Sequence, residues 1–190
     1  MVKQAKDKSL QKLANLQRPH KGLISLMPLQ TGGMLTDAAR KALIEFGDGY
    51  SVCDFCSGTL CDITNPPVRE FVHELLPQFL GCEVATITHG AREAKFTVIH
   101  SLAKPGDSII VDGNRHYTTI VAAERVGLNI IEVASSGYPE FSIDVNSYIP
   151  LIEKHNPKLI LLTYPDGNYG NLSDAKRLGD IAQEYDIPYI

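Results

Sequence analysis

The chain has 190 residues, 44% of them hydrophobic and 21% charged, values typical of a soluble globular protein with a core of its own. This composition excludes a disordered tail, a collagen-like repeat and a disulfide-dense secreted scaffold. The net charge of −4 argues against a general polyanion-binding protein, and no apolar run reaches the roughly 18 residues that a membrane-spanning helix needs.

Residues 1–21 form a basic segment that holds six Lys and Arg residues against one acid. Leu10, Leu13 and Leu16 follow a three-residue spacing that predicts a short amphipathic helix. Two interpretations of its charge stay open: a solvated leading helix, or an arm that contacts RNA phosphates or a partner subunit. The segment lacks the apolar core of a signal peptide, and we expect a cytoplasmic protein with free thiols.

Three cysteines follow the spacing C-x2-C-x4-C over residues 53–61, in a Gly- and Asp-rich stretch that we predict to be a loop. Cys53 and Cys56 suit three kinds of chemistry: a redox dithiol, two ligands of a metal or iron–sulfur centre, or a thiol that carries sulfur as a persulfide. A closed zinc site would need four ligands, and no second pair of this kind follows. Cys82 is predicted to be a buried small hydrophobic residue.

From residue 66 onward the pattern becomes regular. Pro66 and Pro67 open a predicted helix that ends at Gly81 and is kinked or shortened at Pro77. Beyond it, β-branched runs alternate with helical stretches, a pattern that predicts βαβ units and a parallel sheet. The predicted strands are 83–88, 107–111, 129–133 and 158–163, and the predicted helices are 91–103, 118–126, 147–154 and 173–185.

The predicted fold class is therefore α/β. The runs at 108–111 and 159–162 are apolar throughout, as strands covered by helices on both faces should be. We divide the chain into an N-terminal helical and loop segment over 1–65 and an α/β domain over 66–190. Residues 187–190 are expected to begin a further strand.

Polar residues follow three of the predicted strands, at the carboxyl ends where open α/β sheets bind ligands. After the first strand, a helix begins at Ala91, and its first N–H groups with Arg92 predict a phosphate cradle. An arginine at a helix start is unfavourable for the helix itself, which favours an anionic ligand nearby. His116 and Asn168 lie in two further strand-end loops, which also match ordinary turn chemistry. We predict a phosphate-bearing organic ligand here.

Four segments resemble the archaeal O-phosphoseryl-tRNA:cysteinyl-tRNA synthase family, and the resemblance runs from near His20 to the end. It implies the three-layer large domain of a fold-type-I, aminotransferase-like enzyme that uses pyridoxal 5'-phosphate and forms a homodimer. The four segments are GYSVCDFCSGTL (49–60), THGAREAKF (88–96), DGNRHYTTIVAAER (112–125) and YPDGNYGNL (164–172).

The resemblance also implies a reaction and its partners. O-phosphoseryl-tRNA(Cys) would be converted to cysteinyl-tRNA(Cys) by β-elimination of phosphate and addition of sulfur from a cysteine persulfide. The O-phosphoseryl-tRNA synthetase is an implied protein partner, and no membrane is involved. Ala91 and Arg92 are implied as contacts of the cofactor phosphate, His116 as the residue stacked on or near the pyridine ring, and Asn168 as the amide near the ring hydroxyl.

Cys53 and Cys56 resemble two catalytic cysteines of the family, which hold persulfide sulfur or help to ligate an iron–sulfur cluster; Cys61 has no counterpart. The family's Schiff-base lysine follows a Gly-His pair, and none of the eleven lysines has that context. Lys95 is predicted to point along its helix. We therefore expect the large domain to continue beyond Ile190. The alternatives are a cysteine desulfurase-like enzyme that acts on free cysteine, and a non-catalytic half that binds tRNA or a partner.

Overall fold

The computed structural model of the chain describes residues 35–46 and 68–190. The chain divides into two compact units, Met1–Gly49 and Tyr50–Ile190. In the first unit, helix α1 covers Asp37–Phe46. Thr36 precedes this helix, and its Oγ1 accepts a hydrogen bond from the Ala39 N–H in the first turn at 3.2 Å. The predicted basic helix at 1–21 and the predicted boundary after residue 65 lie outside the described residues and stay predictions.

Helix α2 ends at Gly81 as predicted, and it contains a π-helical turn just before Pro77. The Leu76 N–H donates to the Phe71 carbonyl, five residues back. In a regular α-helix the proline ring would clash with the carbonyl four residues earlier, and the wider turn relieves that clash. Gly81 ends the helix in the left-handed region at a φ of 69°. The parts of α2 are α-helical Val68–Glu70, π-helical Phe71–Leu75 and α-helical Leu76–Leu80.

Residues 83–88, which we predicted to form a strand, do not pair with any described strand. The segment has no backbone hydrogen bond to a strand within 68–190, and Val84 and Ile87 are 79% and 55% exposed. Its apolar pattern alone cannot supply the neighbouring strand that a sheet requires. The prediction that Cys82 is buried is also wrong, because this exposed thiol follows the helix end and donates to the Val84 carbonyl at 3.3 Å.

The remaining predicted elements form, with ends shifted by a few residues. Three parallel strands lie in the order β2–β1–β3, with Ile109 opposite both Ile130 and Leu159. No helix among residues 35–46 and 68–190 is long and apolar enough to cross a membrane. The elements are α3 Ala91–Leu102, β1 Ser108–Asp112, α4 Tyr117–Val126, β2 Asn129–Val133, a 3-10 turn Val145–Ser147, α5 Tyr148–His155, β3 Leu159–Leu161 and α6 Ala175–Glu184.

The chain beyond α6 returns to the edge of the sheet beside β3. Tyr189 forms a parallel bridge with Ile160, and the Leu162 N–H donates to the Ile190 carbonyl at 3.0 Å. This confirms that a further strand-like segment begins near residue 187. It also places the predicted 158–163 strand between two neighbours, as its apolar sequence requires.

Two clusters of buried side chains cover the two faces of the sheet, because successive strand residues point in opposite directions. Ile110 and Ile160 pack with Tyr148 and Leu178 on the α5 and α6 side. The other face packs against α3 and α4. This second cluster consists of Ile99, Ala103, Ile109, Val111, Ala122, Ala123, Val126, Leu128, Leu159 and Leu161. The predicted three-layer α/β architecture is confirmed.

Leu178→Ala tests this packing. Leu178 is completely buried in the α5 and α6 cluster, so its truncation should lower the free energy of unfolding by about 2–5 kcal/mol. Leu172→Ala is the matched control, because that leucine is 69% exposed and its truncation should change stability by less than about 0.5 kcal/mol. Urea unfolding of both variants measures the difference, and equal midpoints would contradict the assigned core.

Candidate functional site

Asp112 ends the central strand and is completely buried. Its Oδ2 accepts two hydrogen bonds from Thr163, one from the N–H at 2.8 Å and one from Oγ1 at 2.9 Å. These bonds hold the carboxyl ends of β1 and β3 side by side. Its Oδ1 has no hydrogen-bond partner in the described part of the chain. Burial therefore raises the pKa of Asp112, although the bonds from Thr163 act in the opposite direction.

The start of α3 offers backbone donors at this edge. Gly90 has a φ of 113°, which favours glycine, and its carbonyl accepts the first helical bonds from Glu93 and Ala94, both at 3.1 Å. No described residue accepts a hydrogen bond from the N–H groups of Ala91 and Arg92. Because these donors lie at the positive end of a twelve-residue helix, they suit an anion.

Arg92 and His116 are linked through a residue that the sequence analysis did not single out. Arg92 Nη2 donates to the Tyr117 hydroxyl at 2.6 Å, and its guanidinium lies 5.6 Å from the centre of the Tyr117 ring. The rings of Tyr117 and His116 lie 4.5 Å apart. The positive charge at the start of α3 therefore lies next to the imidazole at the start of α4.

His116 is the N-cap residue of α4, and its ring is exposed. Its Nδ1 lies 3.3 Å from the Thr118 N–H, which donates to it, and 2.8 Å from Thr118 Oγ1. Two contacts at one nitrogen fix the ring orientation relative to the helix. His116 lies in the loop between β1 and α4, as predicted. Its contact with a cofactor stays a prediction.

Lys95 does not point along its helix as we expected from the sequence. Its Nζ crosses to α4 and donates to Thr119 Oγ1 at 3.1 Å and to Thr118 Oγ1 at 3.5 Å. Burial lowers the pKa of Lys95, and the negative charge of Asp112 acts in the opposite direction. The spacing of residues along one helix cannot reveal such a contact, because it depends on how two helices pack.

The loop after β3 is built around Asp166, which is buried. Its Oδ1 accepts from the N–H groups of Asn168 and Tyr169 at 3.0 and 2.6 Å, and its Oδ2 accepts from the Asn171 N–H at 2.9 Å. Asn168 Nδ2 donates to the Asn114 carbonyl at 3.3 Å. One N–H of the Asn168 amide is thus used to join this loop to the loop of His116, and the second is left for a ligand.

The loop after β2 joins the same assembly. Asn114 Nδ2 donates to the Phe141 carbonyl at 2.6 Å, and Asn171 Nδ2 donates to the same carbonyl at 2.9 Å. The Phe141 ring is stacked on that of Tyr169 with centres 4.0 Å apart. The polar loops after the three strands therefore form one connected edge.

All four residues predicted to contact the cofactor lie on this edge. Ala91 adjoins Arg92, which is linked to His116, and Asn168 contacts the loop that leads to His116. Open helix N–H groups, a guanidinium and an exposed imidazole fit an organic phosphate with an aromatic ring. A polar residue that ends an apolar strand was the available signal for Asp112, whereas nothing in the sequence marked Tyr117.

The cysteine predictions concern residues that the structure does not describe. Cys53, Cys56 and Cys61 lie outside the described residues, so the persulfide and iron–sulfur hypotheses stay predictions. Within 35–46 and 68–190, no group of three or more His, Cys, Asp and Glu residues is arranged to hold a metal ion.

Comparison with known proteins identifies related sequences. The family model for aminotransferase class I and II matches residues 27–190. The chain is 52% identical to the O-phospho-L-seryl-tRNA:Cys-tRNA synthase of Methanosarcina acetivorans, over 97% of this chain and 49% of that protein. It is 45% identical to the synthase of the same name from Methanocaldococcus jannaschii, over 95% of this chain and 50% of that protein. The chain thus spans about half the length of the curated relatives it matches.

Solved structures show the same fold. A chain in the structure of a SepCysS–SepCysE N-terminal domain complex superimposes with a TM-score of 0.78 at 44% identity, over 95% of this chain and 48% of that chain. Alanine aminotransferase from Pyrococcus furiosus superimposes with a TM-score of 0.57 at 24% identity, over 79% of this chain and 37% of that chain. The second similarity concerns the fold alone.

Asp112→Asn tests the buried carboxyl. The raised pKa means that the folded protein keeps the Asp112 proton at pH values where the unfolded chain has lost it. The wild type should therefore lose stability as the pH rises from about 4 through the raised pKa. Asparagine keeps an oxygen for Thr163 and does not ionise, so the stability of Asp112→Asn relative to wild type should increase over this range.

Urea unfolding at a series of pH values measures this difference. Asp180→Asn is the control, because Asp180 is exposed on α6 and its replacement should give no such trend. A wild type that gains stability relative to Asp112→Asn as the pH rises would contradict the assignment of a buried, destabilised carboxylate.

Proposed function

This chain belongs to the aminotransferase class I and II family, and on that basis we propose that the protein carrying it is a pyridoxal-phosphate enzyme that makes cysteinyl-tRNA(Cys) from O-phosphoseryl-tRNA(Cys). One observation carries the proposal: the open N-terminus of α3 and Arg92 lie beside the exposed ring of His116, linked through Tyr117. The 52% identity to a named synthase over 97% of the chain supports the choice of reaction within the family.

Ala91, Arg92, His116 and Asn168 would hold the cofactor. The N–H groups of Ala91 and Arg92 and the Arg92 guanidinium would bind its phosphate, because all are unshared or exposed donors at a helix start. His116 would lie against the ring, and the remaining amide N–H of Asn168 would donate to the ring hydroxyl. When bound, pyridoxal phosphate supplies an electron sink for negative charge that develops at the substrate α-carbon.

The polar residues behind the site support these contacts. The Tyr117 hydroxyl accepts from Arg92 and so restricts where its guanidinium lies. Asp166 holds the loop of Asn168 through three backbone N–H groups. Such fixed supports reduce the conformational freedom that the binding residues would lose when the ligand binds.

For the sulfur step, we propose that Cys53 or Cys56 carries an outer sulfur atom as a persulfide. Attack of the second thiolate on the inner sulfur breaks the persulfide S–S bond, forms a Cys53–Cys56 disulfide and releases hydrosulfide. Hydrosulfide then replaces the phosphate lost from the β-carbon of phosphoserine. A dithiol reductant returns the disulfide to two thiols. An iron–sulfur cluster at these cysteines is the alternative role.

The proposal includes the wider setting of the enzyme. We propose a cytoplasmic homodimer that works with the O-phosphoseryl-tRNA synthetase. The similar SepCysS chain was solved in complex with the N-terminal domain of SepCysE, which supports including a protein partner.

An assay of the natural full-length protein tests the function. With pyridoxal phosphate, a sulfur donor and phosphoseryl-tRNA(Cys), we expect equal amounts of cysteinyl-tRNA(Cys) and phosphate. Release of sulfur from free cysteine without any action on phosphoseryl-tRNA would identify the desulfurase-like alternative. Binding of tRNA without either reaction would identify a non-catalytic half, and both of these results contradict the proposal.

Arg92→Ala tests the cofactor contact. Loss of a charge-assisted hydrogen bond should raise the dissociation constant of pyridoxal phosphate at least about tenfold. Arg125→Ala is the control, because Arg125 is an exposed arginine in the last turn of α4, away from the start of α3. Equilibrium dialysis measures both affinities, and an unchanged affinity in Arg92→Ala would count against the cradle.

Cys53→Ser and Cys56→Ser test the sulfur step. Each should abolish the formation of cysteinyl-tRNA from a persulfide donor while the absorption spectrum of the bound cofactor stays unchanged. Cys82→Ser is the control, since its exposed thiol has no part in the proposed transfer and the variant should stay active. Retained product formation in both single variants would refute the assignment.

A further inference from the structure

We propose that Lys95 is a positioning residue that fixes the tautomer and ring orientation of His116 through the hydroxyl group of Thr118. The contacts are observed in the structure. The inference depends on the proposed function only for the identity of the ligand that His116 faces. Lys95 lies on α3, one turn after Arg92, and none of the cofactor contacts proposed above uses it.

Three groups form a chain of hydrogen bonds. Lys95 Nζ lies 3.5 Å from Thr118 Oγ1, and Thr118 Oγ1 lies 2.8 Å from His116 Nδ1. The Thr118 N–H also donates to His116 Nδ1, at 3.3 Å. Lys95 therefore acts from one helix on the N-cap of the next, over a path that needs only one intervening side chain.

The direction of each bond follows from the donors. An ammonium group can only donate, so Thr118 Oγ1 accepts from Lys95. The Thr118 N–H donates to His116 Nδ1, which makes that nitrogen the acceptor, and the Thr118 hydroxyl proton is then the group that can donate to it at 2.8 Å. His116 Nδ1 accepts twice and carries no proton, and the neutral ring carries its proton on Nε2. Rotation of the ring by a half turn would break both bonds, so one face and the Nε2–H stay presented to the site.

The position of Lys95 is unfavourable for a purely structural residue. Its ammonium is partly buried and lies at the positive N-terminal end of α4, where cations are disfavoured. Its direct partners there are two neutral hydroxyls, those of Thr118 and Thr119. Burial lowers the pKa of Lys95, and the negative charge of Asp112 offsets only part of that effect. An apolar side chain of similar length would fill the same space without this cost, whereas only a donor fixes the direction of the Thr118 hydroxyl.

Nitrogen-15 NMR of the full-length protein, labelled with 15N-histidine and without cofactor or tRNA, tests the inference. At about pH 8.5, where an ordinary histidine is neutral, the wild type should show a bonded proton on Nε2 of His116 and none on Nδ1. His116→Gln assigns the signal. In Lys95→Met the freed Thr118 hydroxyl can accept from Nδ1–H, so the two ring nitrogen shifts should move toward each other.

Matched variants separate positioning from packing. Thr118→Ser keeps the hydroxyl and should give the wild-type shifts. Thr118→Val removes one of the two donors to Nδ1 at similar volume, so its two ring nitrogen shifts should also move toward each other. Lys176→Met, at an exposed lysine of α6, should change nothing. If Lys95→Met does not fold, Lys95→Leu takes its place, because the Thr118 pair tests the hydroxyl and not the lysine.

Three results would overturn the inference: a proton on Nδ1 of wild-type His116, wild-type shifts in folded Lys95→Met, or equal spectra for Thr118→Val and Thr118→Ser. Because the experiment uses neither cofactor nor substrate, its outcome is independent of the tRNA assay. If the tRNA assay shows no activity, the spectra still test the chain of hydrogen bonds. If the spectra contradict that chain, the tRNA assay still tests the proposed function.

Discussion

The hydrogen bonds from Thr163 to the buried Asp112 carboxylate are the interaction on which the candidate site depends. They join the carboxyl ends of two neighbouring parallel strands at the point where the strands leave the sheet. The loops that begin there carry His116 and Asn168, so both start from a shared, rigid edge. Without this link, the two loops would be joined only farther from the sheet, by bonds such as the one from Asn168 to the Asn114 carbonyl.

Two further sets of polar contacts join this edge of the sheet to the neighbouring loops and helices. Asn114 joins the loops after β1, β2 and β3 to one another, while Arg92 and Lys95 cross from α3 to the first turn of α4. The second set brings two cations to a place where two helix N-termini already concentrate positive potential. Neither Arg92 nor Lys95 forms an ion pair with a described carboxylate, while Glu93 in the first turn of α3 and the charge of Asp112 offset part of this potential. An anionic ligand would offset more of it.

The sequence predicted those features that depend on local pattern. Apolar runs such as 108–111 identified strands buried on both faces, and Gly90 before Arg92 identified a helix start suited to an anion. The strand predicted at 83–88 finds no neighbouring strand among the described residues, and alternation of apolar residues does not supply one. Lys95 was misjudged for a related reason, since its partner is determined by how α3 packs on α4. In the sequence, Asp166 cannot be distinguished from an ordinary turn residue. Only the structure shows that its carboxylate is buried and accepts from three backbone N–H groups.

A crystal structure of the full-length protein with pyridoxal phosphate tests the central claim most directly. We predict that the cofactor phosphate accepts hydrogen bonds from the N–H groups of Ala91 and Arg92, with the pyridine ring beside His116. A phosphate bound elsewhere on the protein, with the start of α3 left to solvent, would contradict the assignment of this edge as the cofactor site.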